Sequence, residues 1–172
     1  LLRTVTEREE YIDFLNKEIS KYISGVLAKE TNPQTSRQIS VLFKVCGNLE
    51  RIGDHAMNIC EYTRLMEEKG ISFSQAAREE IRSMQKISLE AMENMKAIGE
   101  SAGKDIGEIE RMEQKIDDMT EQYRANQMNR LHGGQCSDEA CVLYSEMLTD
   151  FERIGDHILN IGQEMGMGKV SA

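Results

Sequence analysis

Apolar residues recur at three- and four-residue spacing along most of the chain, the pattern of helices that bury one face. The spacing predicts five of them. The first runs from about Thr4 to Glu30, with Val5, Ile12, Leu15, Ile19, Tyr22, Ile23 and Val26 on one side. Thr31-Asn32-Pro33 should end it, because proline lacks a donor and restricts the residue before it. The second runs from about Thr35 to Lys69 on a stripe of Leu42, Val45, Leu49, Ile52, Ala56 and Ile59, and Gly70 is placed to cap it. A third spans Ser74 to Gly99, entered by Ser72 or Ser74 as cap, with a turn near Ser101-Ala102-Gly103. The fourth spans Asp105 to Leu131 and stops at Gly133-Gly134. The fifth spans Asp138 to Met165 and leaves a tail with Gly166 and Gly168 that should fray.

Superimposed on this periodicity is a repeat. Asn48-Leu-Glu-Arg-Ile-Gly-Asp-His-Ala-Met-Asn-Ile59 returns as Asp150-Phe-Glu-Arg-Ile-Gly-Asp-His-Ile-Leu-Asn-Ile161, with eight of twelve positions identical at an offset of 102. A weaker echo links Glu9-Glu-Tyr-Ile-Asp13 to Glu113-Gln-Lys-Ile-Asp117 at an offset of 104. A repeat of this length means a duplicated helical unit. The expected architecture is therefore all-α: an antiparallel helical bundle of five long helices in two tandem repeats. Residues 1–70 form the first repeat with two helices, and residues 71–172 the second with three.

Each repeat carries Glu-x-x-x-Asp on two helices, and carboxylates at i and i+4 share a helix face. In an antiparallel hairpin, residues equidistant from the turn lie level. The two first-half motifs are centred about Thr31 and Asn32, and the two second-half motifs about Gly134, where turns are expected on other grounds. Four carboxylates thus come level twice, each set about 30 Å from its turn at 1.5 Å per residue. At about 100° per residue they fall on the flank or outer face of the helices, away from the core stripes. A buried di-iron site built from Glu-x-x-His pairs is not available here.

Composition narrows the classes. A single proline, no tryptophan and 5% aromatic residues argue against a β-sandwich or barrel. A net charge of −9 without a basic stripe removes nucleic acid as a partner. The four cysteines are too sparse for a secreted disulfide framework, and no secretory leader or apolar run of membrane-spanning length is evident, so a cytoplasmic setting is expected. The chain opens Leu1-Leu2-Arg3 without a methionine, from which we expect a fragment of something longer.

Four carboxylates at one level repel, and protonation, Arg or Lys partners, or a cation must offset them. An all-oxygen set suits hard ions such as iron(III), Mn, Mg or Ca, and suits Zn less well. The candidate ligands are Glu9, Asp13, Glu50 and Asp54 in one half, and Glu113, Asp117, Glu152 and Asp156 in the other. A lone Glu-x-x-x-Asp is ordinarily solvated surface; the duplication is what sets these apart. Gly53 and Gly155 lie between Glu and Asp in both copies, which points to crowding by a helix or ion. His55 and His157 are either outer donors to the ligands or polar residues packed at a helix interface. Asn58 and Asn160 continue the carboxylate face. Cys136, Cys141 and His132 have poor spacing for Zn and read as helix packing, and the eleven methionines read as core filler.

The doubled Glu-Arg-Ile-Gly-Asp-His-x-x-Asn-Ile block, with its partnered Glu-x-x-x-Asp helices, resembles the PhoU family of bacterial phosphate-uptake regulators. The resemblance implies two three-helix bundles side by side and multinuclear metal clusters, iron above all, on the bundle surface. It also implies a non-catalytic regulatory role, with a membrane phosphate transporter or a signalling kinase as partner and a homodimer as an open alternative. Five helices in place of six suggest a first bundle without its leading helix. Together with the stretch Gly70-Ile-Ser-Phe-Ser-Gln-Ala-Ala77, this makes the chain most similar to the cytoplasmic PhoU domain that ends sodium–phosphate cotransporters, where the transporter would be its own upstream part at the inner face of the membrane. The alternatives are a metal-dependent hydrolase and a helical scaffold without metal. The first lacks a nucleophile–base pair or phosphate loop in the sequence. The second would leave the melting temperature indifferent to cations.

Overall fold

The computed structural model describes residues 2–100 and 106–167. All regular structure among them is helical: α1 Leu2–Leu27, α2 Pro33–Lys69, α3 Gln75–Glu100, α4 Gly107–His132 and α5 Asp138–Met167. No helix of the described residues is long and apolar enough to cross a membrane.

Local chemistry sets the helix ends. α1 stops at Leu27, three residues short of the expected Glu30, because the Glu30 carboxylate accepts from the Thr31 and Asn32 amides and folds the chain into the turn. Pro33 begins α2 and does not merely end α1. Asn32 caps α2 through the Gln34 amide at 2.9 Å, and proline at the first helical position sacrifices no hydrogen bond. Gly70 ends α2 with φ of 65°, a left-handed conformation that glycine adopts without strain. Of the two serines considered at the start of α3, Ser74 is the cap, accepting from the Ala77 amide. α5 runs through Gly166 to Met167 instead of fraying after Met165. Met165 packs on the Ile109/Ile158/Ile161 cluster, and Glu164 pairs with Lys44 of α2 at 2.8 Å. The turn expected at Ser101–Gly103, the helix start at Asp105 and the tail from Gly168 lie outside the described residues.

α5 is the axis of the fold. It packs against α2, α3 and α4; α3 also packs on α4, and among the described helices α1 packs on α2 alone. The deep core belongs to α3, α4 and α5, where Met84, Ile116, Tyr144, Leu148 and Ile158 are fully buried. Burying each such side chain contributes roughly 1.5–3 kcal/mol. A polar lock closes one end: Glu80 of α3 takes Arg130 Nη2 at 2.6 Å, Asn126 Nδ2 at 2.8 Å and the Tyr144 hydroxyl. Burial pushes the Glu80 carboxyl up, but those donors outweigh it and hold it below its ordinary value.

The α1–α2 hairpin differs. Its only buried residues are Ile23 and Ile52. Leu42 and Leu49, expected in a core stripe, are 58% and 40% exposed, because no described helix covers that side of α2.

Candidate metal centres

Both hairpins bring their acids together. Glu9 and Asp13 on α1 meet Asp54 on α2, with one oxygen of each within 4.8 Å of the others. Glu113 and Asp117 on α4 meet Asp156 on α5 in the same way. The fourth acid of each set stands aside from these triads. Glu50 remains close enough to feel Asp54 and Asp13. Glu152 turns to Arg124, at 3.0 Å, while still raising Asp117 by its charge. Arg153 lies 3.2 Å from Asp156.

The acids within each triad repel one another; Glu113, Asp117 and Asp156 are half-buried, whereas in the first triad only Glu9 is and Asp13 and Asp54 are exposed. Burial first, then Asp13 and Asp54, pushes Glu9 above its ordinary value. Burial and then Asp13 does the same to Asp54, and burial and then Asp54 to Glu50. In the second half, burial with Asp117 and Asp156 raises Glu113, and burial with Glu152 and Asp156 raises Asp117. Asp117 Oδ1 is also buried without a hydrogen-bond partner. A carboxylate oxygen left so is costly unless something positive meets it.

The crowding expected at both central glycines is present at Gly155 and not at Gly53. A Cβ on Gly155 would lie 3.1 Å from Ile116 Cδ1, whereas one on Gly53 would meet Ile12 at an ordinary 3.6 Å.

The histidines sit in the seam between the halves. His55 Nδ1 donates to Asp150 across the α2–α5 interface at 2.6 Å, and Asn58 Nδ2 donates to the same carboxylate at 3.1 Å. His157 Nδ1 donates to Asn48 at 2.8 Å in the reverse direction. The two rings stack with centroids 5.6 Å apart. Burial, then His55 and Arg51, holds His157 below its ordinary value. Asn160 lines, together with His55 and His157, an open polar cavity of about 590 Å³ that also takes in Glu113, Asp156, Arg51 and Arg153. Sequence reasoning missed Asn48 and Asp150 as the acceptors for the histidines. They open the repeated block at a position where the copies differ, which concealed that both side chains supply an oxygen.

Comparison with known proteins gives a consistent result. A curated relative, the phosphate-specific transport system accessory protein PhoU homolog 1 of Thermotoga maritima, is 30% identical over 168 residues, covering 96% of this chain and 71% of the relative. The fold matches crystal structures of the phosphate transport system regulatory protein PhoU from Streptococcus pneumoniae and of PhoU from Pseudomonas aeruginosa. Their TM-scores are 0.77 and 0.76, at 17% and 19% identity; each match covers 99% of this chain and 80% and 82% of the respective structure. The PhoU domain profile matches residues 1–63 and 78–165, most of the chain, so the chain belongs to the PhoU domain family.

Proposed function

We propose that this chain is a non-catalytic, metal-binding regulatory domain acting on a membrane phosphate transporter from the cytoplasmic side. The observation that carries the metal reading is the pair of acid triads, Glu9/Asp13/Asp54 and Glu113/Asp117/Asp156, built at equivalent positions of a duplicated hairpin. The donor set fits a hard cation: all ligand atoms are carboxylate oxygens, and Asp117 Oδ1 lacks any other partner. Iron(III) is the first choice, with Mn, Mg or Ca as substitutes and Zn the poorest fit. Such an ion supplies positive charge that neutralises the triad and bridges two antiparallel helices. Glu50 and Glu152 stand aside from the triads, Glu152 on Arg124, and would have to turn inward to complete each set. His55, Asn58 and His157 brace the α2–α5 seam behind the ligands, and Asn160 borders the second triad.

The transporter as partner is supported by the relatives' roles in phosphate transport systems. Attachment in cis to a sodium–phosphate cotransporter is the finer form of this reading. The chain would stiffen on cation binding and present a fixed helical surface to the transporter.

The test has two arms. Protein purified without chelator is assayed for metal per chain by plasma mass spectrometry, as wild type and as the Asp54→Ala, Asp156→Ala double variant. Bound iron or another hard metal in wild type and its loss in the variant are expected; equal near-zero metal in both removes the metal reading. Radiolabelled phosphate uptake is then compared in cells with and without the chain. Indifference of uptake to the chain removes the regulatory reading.

A further inference from the structure

Arginine and amide side chains gather at one place that the metal reading does not use. Arg51 of α2 and Arg153, Asn160 and Gln163 of α5 line the open cavity of about 590 Å³ at the seam, where Glu113 and Asp156 also stand. Part of its wall is fixed. His55 and His157 line it as well, and their Nδ1 atoms are committed to Asp150 and Asn48. Arg153 pairs with Asp156 at 3.2 Å. Arg51 makes no ion pair among the described residues, although Glu50 and Asp54 feel its charge. Burial first, then His55, Arg51 and Arg153, hold His157 down, so both guanidinium charges converge on that ring.

The repeat supplies an internal comparison. At the offset of 102, the counterparts of Asn160 and Gln163 are Asn58 and Glu61. Asn58 is committed to Asp150 at 3.1 Å, and Glu61 adds negative charge near Glu9. The second half thus sets two amides in the cavity where the first has an engaged amide and an acid.

Guanidinium groups meet the oxygens of a phosphoryl group with paired N–H donors, and amides add neutral donors. The two carboxylates on the same wall oppose an anion until a cation offsets them. Glu113 and Asp156 are two of the three acids of the second triad, so a cation held there supplies that offset. We propose that the seam cavity binds a phosphoryl oxyanion, gripped by Arg51, Arg153, Asn160 and Gln163 against the cation of the second triad. The proposal rests on the metal reading for that cation. Cation and oxyanion strengthen each other's binding by the same factor, because coupling between sites is reciprocal. The cavity is open, so the oxyanion enters as free phosphate or as the end of a phosphomonoester.

Equilibrium dialysis of radiolabelled inorganic phosphate against the full chain tests this, in excess Mn and in chelator, with Mn measured on both sides of the membrane. Phosphate should bind at least about tenfold more tightly with Mn than in chelator, within the usual range of coupling between sites. Arg51→Gln and Gln163→Glu should each weaken it by about tenfold or more without loss of bound Mn, the first by removing charge-assisted hydrogen bonds and the second by adding a repulsion. Arg64→Gln, a surface arginine paired with Glu68, should leave it as in wild type. Adenosine monophosphate is the second probe: displacement of phosphate by it assigns the cavity to a phosphomonoester, and failure to displace assigns it to the free ion. Absence of phosphate binding overturns the inference, as does equal binding in Mn and chelator, or binding indifferent to Arg51→Gln. The metal reading stands or falls separately, on the Mn count.

Discussion

Replacing Glu113 by Gln should move stability in opposite directions depending on whether a cation is supplied. The oxygens of Glu113, Asp117 and Asp156 lie within 4.8 Å of one another. Two unit charges at that separation repel by about 1 kcal/mol in a water-like dielectric and by about 3–4 kcal/mol at an effective value near 20. The triad is only partly buried, so the lower limit applies. Glu113→Gln removes two such repulsions, about 2 kcal/mol. A domain of this size gains roughly 2–4 °C in Tm per kcal/mol. In chelator the variant should therefore melt about 4–8 °C above wild type.

With cation present the order should invert. A ligand bound only by the folded state stabilises by about 2.7 kcal/mol at a hundredfold excess over its Kd, and the variant has lost one anionic ligand. Differential scanning fluorimetry in chelator, and in a series of iron(III), Mn, Mg and Ca concentrations, reads both arms. A variant that is less stable than wild type in chelator, and that gains as much from every cation, would refute the reasoning. The charge would then be compensated already, and no guest required.

The other structural features give further expectations. In chelator, stability should rise as pH falls from 7 into the upper carboxylate range. Glu9, Glu50, Asp54, Glu113 and Asp117 have folded pKa values raised above their ordinary ones, so their contribution is full below the unfolded value and lost as pH rises through the folded one. Glu80, lowered, opposes this only at greater acidity, its contribution being lost as pH falls through its folded pKa; urea midpoints across pH would show both limbs. Gly53→Ala should stabilise by up to about 1 kcal/mol through helix propensity. Gly155→Ala should be neutral or destabilising, because Ile116 stands 3.1 Å from the new Cβ; a common sign for both in thermal melts would count against the packing difference. Arg130→Met should cost about 3–5 kcal/mol by leaving Glu80 charged and buried, and adding Glu80→Leu should recover most of it in the double-mutant cycle.

The helices were legible because their stripes are long and their punctuation is chemical: Asn32-Pro33, Gly70, Ser74 and Gly133-Gly134 each do locally what their side chains or backbone dictate. The meeting of the acids was legible because hairpin geometry converts sequence symmetry about a turn into spatial level. Two things were not. Periodicity finds an apolar stripe but not what covers it, so Leu42 and Leu49 read like Tyr144 and Phe151 although only the latter pair is buried. Cross-helix polar partners such as Glu80–Arg130 and His55–Asp150 leave no local signal, since each pairs residues 50 or more positions apart.

The two triads share a ligand pattern but not a support, and this difference has a dynamic consequence. The second triad bridges α4 and α5, which are clamped together by α3 and by a buried core. The first bridges α1 and α2, and α1 has no other neighbour among the described helices. Repulsion between Glu9, Asp13 and Asp54 therefore acts on a hairpin with little apolar burial to oppose it, and a cation there would close the hairpin as well as fill a site. Segments with few buried contacts open at low free-energy cost. Amide exchange should thus be faster along residues 2–27 than along 107–132 in chelator, and cation should slow the first segment by a larger factor than the second. Asp13→Ala should remove that slowing in α1 and leave exchange in α4 as it was. Equal protection of both segments in chelator would mean that α1 is held by something other than α2, and the coupling of cation to hairpin order would fall with it.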